Sequence, residues 1–558
     1  MSKFEFNSHI MKALFLLLLL HVSLFTIAQT TTWDGVMWSN GVPNIATDVI
    51  ITGIYDTSFN EGFTAKNLSV MATGTVIITN DKTITVKTNI DNLGNFTIED
   101  KGSLIMIDDV GTVFGNYIVK RNTPTYAQVG STSFFSSPMI EADSNITSIF
   151  NPDDTIFYWD TSVSPTYWVF IPHEEPPGVS NKLGLGKGYA VRADMTTGSI
   201  ERTFTGELNT GDVSVPVYYS DSSTSPGQFG YNIIGNPYPS AIDWFTFKAD
   251  NAAILSGTLY VWRQQETGGI NHASSYIALN SLGTVPYDSA NEFIGSAQGF
   301  VVKTNATSNV VFKNSHRVSN NQQFFRNSVT SRRRTEGNSW LKLEGASNKS
   351  TILIGFNSNA TTAFDNDYDG IFIGGTDPLQ LYSLNGMDKL LINGQPELAV
   401  PGFDTSIPLG VKADVTGNYT ISIDEEFIGP EYLIKLEDTQ TMTIADLRVS
   451  DYNFTISTTD EDNTRFIIHY EYDTGLGIED VLDEKDFKIF FDQEQLYIII
   501  AGNFELPESF AIYDVSGKLL YSDTYRALIN TQNLSSGIYL IRLNYKGLGT
   551  ISKPVVKK

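Results

Sequence analysis

The chain has 558 residues, enough for roughly three to four domains that each bury a core. It carries 62 acidic against 37 basic side chains, a formal net charge of −25. Such a surface repels phosphate backbones and anionic lipid heads, which argues against nucleic acid as a partner. With no cysteine, neither a lipoprotein anchor nor a disulfide framework is available, and stability has to come from buried apolar area.

Residues 1–28 contain Met11-Lys-Ala-Leu-Phe-Leu-Leu-Leu-Leu-Leu-His-Val-Ser-Leu-Phe-Thr-Ile-Ala. A positive residue, a short apolar core and small residues before Gln29 predict a signal peptide cleaved after Ala28, with Met11 as the better start. Lys12 to Ala28 is too short for a comfortable membrane span, and no other long apolar run follows. The mature chain is therefore expected without a transmembrane span.

Residues 30–118 open with Trp33-Asp-Gly-Val-Met-Trp-Ser-Asn-Gly-Val-Pro and continue through Asp48-Val-Ile-Ile, Asn67-Leu-Ser-Val, Thr75-Val-Ile-Ile, Thr83-Ile-Thr-Val, Asn95-Phe-Thr-Ile and Ser103-Leu-Ile-Met-Ile. These runs are short, alternate at period two, and are separated by Gly, Asn or Asp corners. Strands this short cannot each cover a core, so stacking them as rungs of a β-solenoid is the economical solution, with a meander sandwich as the competing fold. Trp33 and Trp38 are expected to cap the stack. The opening motif resembles the start of many Bacteroidetes surface proteins.

Residues 119–330 hold Trp159, Trp168, Trp244 and Trp262 among many tyrosines. The pairs Tyr158-Trp159 and Tyr167-Trp168 suit stacking on sugar rings, which makes these four tryptophans the candidate glycan-binding residues; filling a cysteine-free core is the alternative. In Gly230-Tyr-Asn-Ile-Ile-Gly-Asn-Pro-Tyr-Pro-Ser the prolines predict a rigid turn after a buried strand. Together with Leu185-Gly-Lys-Gly-Tyr-Ala-Val and Ala297-Gln-Gly-Phe-Val-Val, this stretch resembles a module found upstream of sorting domains in large flavobacterial exported proteins, a resemblance that implies no activity. From about 313 to 338 the apolar pattern fades and Arg332-Arg-Arg follows, which predicts a linker.

Residues 338–472 run from Trp340-Leu-Lys-Leu-Glu to Arg465-Phe-Ile-Ile-His-Tyr and predict a β-sandwich, similar to one that precedes sorting domains in the same exported proteins. Asp365, Asp367 and Asp369 before Gly370 have the alternating oxygen spacing of a calcium loop, although Thr376 stands where such a loop wants a bidentate Glu; an Asp-rich turn is the alternative. His173, His272, His316 and His469 lack metal-ligand spacing, and there is no nucleophile elbow, no cysteine nucleophile and no phosphate loop. No catalytic residue is assigned. The histidine and carboxylates of Pro172-His-Glu-Glu-Pro sit between prolines that predict an exposed loop.

Residues 475–558 contain Phe487-Lys-Ile-Phe-Phe, Leu496-Tyr-Ile-Ile-Ile, Ile512-Tyr-Asp-Val-Ser-Gly-Lys, Leu534-Ser-Ser-Gly-Ile-Tyr-Leu-Ile-Arg-Leu and Lys553-Pro-Val-Val-Lys-Lys. This series resembles the type A C-terminal sorting domain of the Bacteroidetes type IX secretion system, with Phe490-Phe-Asp-Gln in place of the family's Tyr-Pro-Asn-Pro turn. The resemblance implies a small Ig-like sandwich, assigns Tyr513, Asp514, Gly517, Lys518, Gly537, Tyr539 and Lys557 to the sorting motif, and implies the type IX translocon and a surface sortase as partners. The chain is thus expected to be an all-β, multidomain protein of the cell surface or extracellular space. Non-enzymatic adhesion, or glycan or matrix binding, is the expected role, and a secreted glycan-active hydrolase with dispersed Asp and Glu is the alternative.

Overall fold

The computed structural model describes residues 29–126, 129–163, 166–174, 181–194, 197–220, 230–262, 276–287, 291–319, 321, 336–346, 348–373, 378–398, 404–473, 487–500, 506–515, 518–545 and 549–558. The expected signal peptide and the arginine run therefore lie outside the described residues. The chain divides into two units, Met1–Arg333 with Asp365–Asp377, and Arg334–Phe364 with Pro378–Lys558. Both are built almost wholly of strands.

The first unit begins with a solenoid. Strands Thr30–Trp33, Asp48–Ile51, Thr64–Val70, Thr83–Asn92 and Ser103–Met106 stack in parallel as one sheet. Ile54–Asp56, Thr75–Ile78, Asn95–Ile98 and Tyr117–Asn122 stack in parallel as a second, closed by antiparallel Glu201–Gly206. Period-two alternation turns Val49, Ile51, Leu68, Val70, Val76, Ile78, Phe96 and Ile98 inward, where all are buried. Outside runs a polar ladder: Asn67 Nδ2 donates to Asp48 at 2.7 Å, Asn89 Nδ2 to Asn67 at 3.2 Å, and Thr112 Oγ1 to Asn89 at 3.0 Å. The corners are tight. A Cβ at Gly111 would stand 1.9 Å from the Thr88 carbonyl oxygen, so only glycine lets the chain turn there.

Each end of the stack is closed. Trp33, Trp38, Tyr55 and Phe63 form an aromatic cap with ring centroids 5.0–5.5 Å apart. The loop after Trp33 returns along the first strand, where Asn40 Nδ2 donates to the Thr30 carbonyl and Thr31 Oγ1 to that of Gly41. It thereby occupies an edge that would otherwise invite pairing. At the far end, Arg317 donates to the Leu104 carbonyl, Ser103 to that of Ser319, and Asn321 to that of Gly102. This corrects the expected linker from residue 313: Asn314, His316 and Arg317 are buried. Their side chains are polar, so no apolar pattern marked them.

Beyond the solenoid lies an internal duplication. One sheet orders its strands Ser131–Phe135, Tyr189–Ala193, Thr155–Asp160, Tyr167–Ile171; another repeats the order as Tyr231–Gly235, Gly299–Thr304, Leu255–Trp262, Tyr276–Leu279, and adds Thr284–Val285. Each copy places a helix, Ile146–Ile149 or Trp244–Asp250, after its first strand. Reciprocal bridges join the copies, Phe135 to Gln298 and Lys187 to Ile234, so a local pseudo-twofold axis relates them. The Gly-Asn-Pro-Tyr-Pro turn sits at this junction. Buried Asn236 Nδ2 donates to the carbonyls of Ser240, Ile294 and Gly295 and fixes the turn internally.

In the second unit one sheet runs in the order Thr443–Asp446, Tyr432–Asp438, Asp462–Tyr472, Thr405–Ala413, Leu379–Asn385, Asp388–Pro396, Lys349–Asn357, Asn338–Glu344, Gly417–Glu426, Tyr452–Ile456. It folds over on itself, because the last strand's Phe454 meets Phe466 at 4.7 Å and its Tyr452 hydroxyl donates to Asp438 at 2.8 Å. Leu341, Leu343, Ile352, Leu409, Ile434 and Ile468 fill the interior. The expected sandwich is thus one sheet in two layers.

The terminal domain packs Phe487–Asp492, Gln495–Ile500 and Leu528–Asn530 as one sheet. Its other sheet is Leu519–Thr524, Ser509–Asp514, Gly537–Tyr545 and Gly549–Lys557. Leu496, Ile498, Phe510, Ile541 and Leu543 form its core. This is the small two-sheet sandwich that the motifs imply.

Candidate functional site

The duplicated module presents an aromatic platform. In its first copy Trp159 faces Trp168 across the strand pair and Phe157 faces Phe170, all on one side of the sheet because they share the same alternation. The tryptophan rings lie 5.3 Å apart at 65°, the phenylalanine rings 5.8 Å apart at 59°. Trp168 remains 42% exposed and Phe170 52%. The opposite side of this sheet is core, with Ile156, Ile171 and Tyr189 buried and the Lys187 ammonium 3.4 Å over the Tyr158 ring.

The second copy repeats the pair. Trp262 occupies the place of Trp159 and Tyr276 that of Trp168, with rings 5.1 Å apart at 81°. Phe134 joins the two pairs, stacked on Trp262 at 5.6 Å and 10° and standing 6.3 Å from Trp168. It reaches across Ala190, the small residue beside it in the sheet. Trp262 is only 5% exposed and donates its Nε1 proton to the Thr132 carbonyl at 2.9 Å. On the same side, Thr155 and Arg192 face each other across the strands, and Asp194 binds both, Arg192 Nε at 2.5 Å. An exposed strip of aromatic planes with a polar rim can take the CH face of a ring and hydrogen-bond its hydroxyls.

The structure brings three of the four candidate tryptophans together and leaves one apart. Trp244 is 0% exposed, packed on Phe247 and Phe300 at the start of its helix. The alternative reading of that residue as core filler is the one its burial supports. Phe134 gave no sequence signal, since its role follows from the pseudo-twofold arrangement alone.

Two carboxylates of the acidic trio have partners of their own. Asp367 pairs with Lys248, and Asp369 is fully buried with its Oδ2 accepting the Asp365 backbone N–H at 2.7 Å. This stretch belongs with the first unit, where Thr258 and Tyr260 donate to the carbonyls of Asp369 and Ile371. Among the described residues, no group of three or more His, Asp or Glu side chains stands where it could hold a metal ion.

A constellation absent from the sequence reading appears in the second unit. Ser406 Oγ lies 2.8 Å from His469 Nδ1, and His469 Nε2 lies 2.8 Å from Glu437 Oε2. Adjacent strands produce it, since Ser406 opposes His469 directly and Glu437 is two residues from the partner of His469 on the far side. Nucleophile, base and carboxylate follow one another as in acyl transfer, with the two ring nitrogens exchanged relative to the usual triad: the serine is on Nδ1 and the carboxylate on Nε2. The serine is exposed on the sheet surface, and Lys435, the other cross-strand neighbour of His469, is turned to Glu471 at 2.7 Å.

In the terminal domain Lys557 is buried and donates to the carbonyls of Thr531 and Leu534, both at 2.6 Å, which fastens the last strand to the preceding loop. Tyr539 hydroxyl donates to the Ser535 carbonyl at 2.7 Å. Arg542 stands 5.2 Å over the Tyr513 ring, Asp514 Oδ1 accepts the Lys518 N–H, and Gly537 opens its strand. Gly517 lies outside the described residues.

The chain is a modular all-β protein with a small sandwich domain as its tail. Residues 492–558 match the secretion system C-terminal sorting domain, the type IX address, which indicates secretion to the cell surface or extracellular space. Residues 24–470 match a domain of unknown function (DUF8693), and the chain belongs to that family. No curated protein matches it. Among solved structures, Tp47, the 47-kilodalton lipoprotein of Treponema pallidum, aligns over 79% of this chain and 91% of its own at 8% identity with a TM-score of 0.10, a likeness that carries no argument. No helix among the described residues is long and apolar enough to cross a membrane.

Proposed function

We propose that this exported protein binds an extracellular glycan or matrix polymer, without turning it over, through Phe157, Trp159, Trp168 and Phe170. The observation that carries this reading is one sheet face on which Trp168 and Phe170 are exposed and Phe157 and Trp159 half-buried beside them, next to the Thr155, Arg192 and Asp194 cluster. Large exposed apolar strips with polar edges are interaction surfaces more often than accidents of packing. Export of a Bacteroidetes protein, with residues 1–28 as the signal peptide and a surface sortase acting on the tail, would deliver the platform to such polymers. On a glycan array, Trp159→Ala/Trp168→Ala is expected to lose about 2 kcal/mol of binding, roughly thirtyfold in Kd, because central aromatic anchors dominate such contacts. Unchanged binding by the double variant, or no binding by the parent chain, would overturn the reading.

One observation supports a second reading, hydrolysis of an ester. The Ser406, His469 and Glu437 chain has the hydrogen bonds that let histidine take a serine proton. A fluorophosphonate probe decides it. Labelling at Ser406 that Ser406→Ala and His469→Ala both abolish would support it, and an unlabelled parent chain would rule it out.

A further inference from the structure

The terminal domain keeps its core on one side of each sheet and shows apolar side chains on the other. In the sheet of Leu519–Thr524, Ser509–Asp514, Gly537–Tyr545 and Gly549–Lys557, strand alternation turns Ile512, Tyr539, Ile541 and Val555 to the core. The residues between them turn outward. Register sets Leu519, Tyr513, Leu540 and Pro554 side by side in one row, and Ile538 beside Val556 in the next. Leu519, Ile538 and Val556 are 50–59% exposed. Single exposed apolar residues are ordinary on a protein surface, but adjacent rows that cross a whole sheet mark a contact surface.

The charge around these rows points to their occupant. Residues 509–558, which supply the whole sheet, carry seven basic and two acidic side chains, in a chain of net charge −25. Arg542 stands over the Tyr513 ring beside the first row, and Lys558 follows two places after Val556. The two acidic residues, Asp514 and Asp523, oppose Tyr539 and Phe510 and so fall on the inward alternation. A second copy would set cation against cation on this face, which disfavours self-pairing. The surface that fits is apolar with a rim of carboxylates. The other sheet also exposes Phe490, Ile499 and Leu528, but Lys488 and Asp492 share that side and offset each other. Phe490 also precedes the residues that match the sorting domain, whereas both rows lie wholly within them.

We infer that the outward rows led by Tyr513 and Ile538 dock an apolar, acid-rimmed protein surface of the secretion machinery that reads this tail. The inference rests on the assignment of the tail as a sorting domain and goes further by naming the face that is read.

In the full chain and its exporting cell, Ile538→Glu/Val556→Glu should lower surface display at least about tenfold and leave the folded chain in the periplasm, because anchors at the centre of a contact dominate its affinity. Phe490→Glu/Leu528→Glu, similarly exposed but on the other sheet, should display as the parent does. Circular dichroism of the purified variants reads folding. Should the first pair fail to fold, Arg542→Glu decides, since it inverts the rim charge without touching the apolar rows and should lower display about threefold or more. Undiminished display in the face variants, or equal loss in the Phe490→Glu/Leu528→Glu control, would overturn the inference. So would a parent chain that floats with phosphatidylglycerol vesicles, or dimerises in sedimentation velocity, where Ile538→Glu/Val556→Glu abolishes that association. Failure of the sorting assignment itself is scored separately, because it would leave display intact after deletion of residues 475–558.

Discussion

Asp438→Ala is expected to destabilise the folded-over sheet of the second unit by about 3–5 kcal/mol, the usual consequence of removing one partner of a buried ion pair. Asp438 is fully buried; Arg465 Nη2 donates to it at 2.8 Å, Nε reaches both its oxygens at 3.1 Å, and Tyr452 donates at 2.8 Å. The guanidinium stands beside the Phe454–Phe466 pair, 4.9 Å from each ring, and donates to the Thr455 carbonyl at 2.9 Å. These contacts tie the last strand in the sheet order to the strands it folds over. Alanine would leave the arginine buried without its anion, whereas Asp438→Leu/Arg465→Met, which removes both charges, should cost clearly less. Chemical denaturation of the three proteins measures this, and equal midpoints for parent and Asp438→Ala would refute it.

The same pair sets a pH dependence. Burial by itself raises the Asp438 carboxyl, but hydrogen bonds from Arg465 and Tyr452, the charge of Arg465 and the Thr441 N–H together outweigh it and hold the group below its ordinary value. A carboxyl depressed in the folded state stabilises at pH above the ordinary carboxylate value of about 4, and that stabilisation is lost as pH falls through the folded value. The difference in stability between the parent and Asp438→Leu/Arg465→Met should therefore shift against the parent on acidification below that point.

Deleting residues 475–558 is expected to abolish delivery outside the cell, leaving the remaining chain in the periplasm. The effect should be close to all-or-none, because the address resides in a domain with its own core of Leu496, Ile498, Phe510, Ile541 and Leu543. A milder lesion separates folding from recognition. Lys557→Ala removes the two bonds from the last strand to Thr531 and Leu534 and is expected to reduce surface display partially. Immunodetection on intact cells measures both, and undiminished display after the full deletion would refute the assignment of the tail.

Local pattern was legible in the sequence wherever function of a residue equals burial of an apolar side chain. Val49, Leu68, Val76 and Ile98 announced the solenoid by alternation and spacing, and the terminal motifs announced their sandwich. What escaped were relations between distant segments. The two copies of the aromatic module share few residues, since Phe134-Phe-Ser-Ser-Pro corresponds to Ile233-Ile-Gly-Asn-Pro, so the duplication shows only in strand order and reciprocal bridges. Ser406 and His469 are neighbours across strands but 63 residues apart in the chain, and Glu437 is 32 from His469, which no motif at fixed spacing captures. The Asp365–Asp369 spacing suggested a cation loop because spacing cannot say that Lys248 has taken one of its carboxylates.

The aromatic cap over Trp33, Trp38, Tyr55 and Phe63 has a consequence for how this protein can vary. Both ends of the stack carry specialised closures, while the coils between them repeat one motif of corner glycine, inward aliphatics and a rung of the Asp48, Asn67, Asn89 and Thr112 ladder. Insertion or loss of a whole coil of about twenty residues would leave both closures intact and change the height by about 4.8 Å. Reach is thus a parameter that unequal recombination can adjust in discrete steps, independently of whatever the distal module recognises.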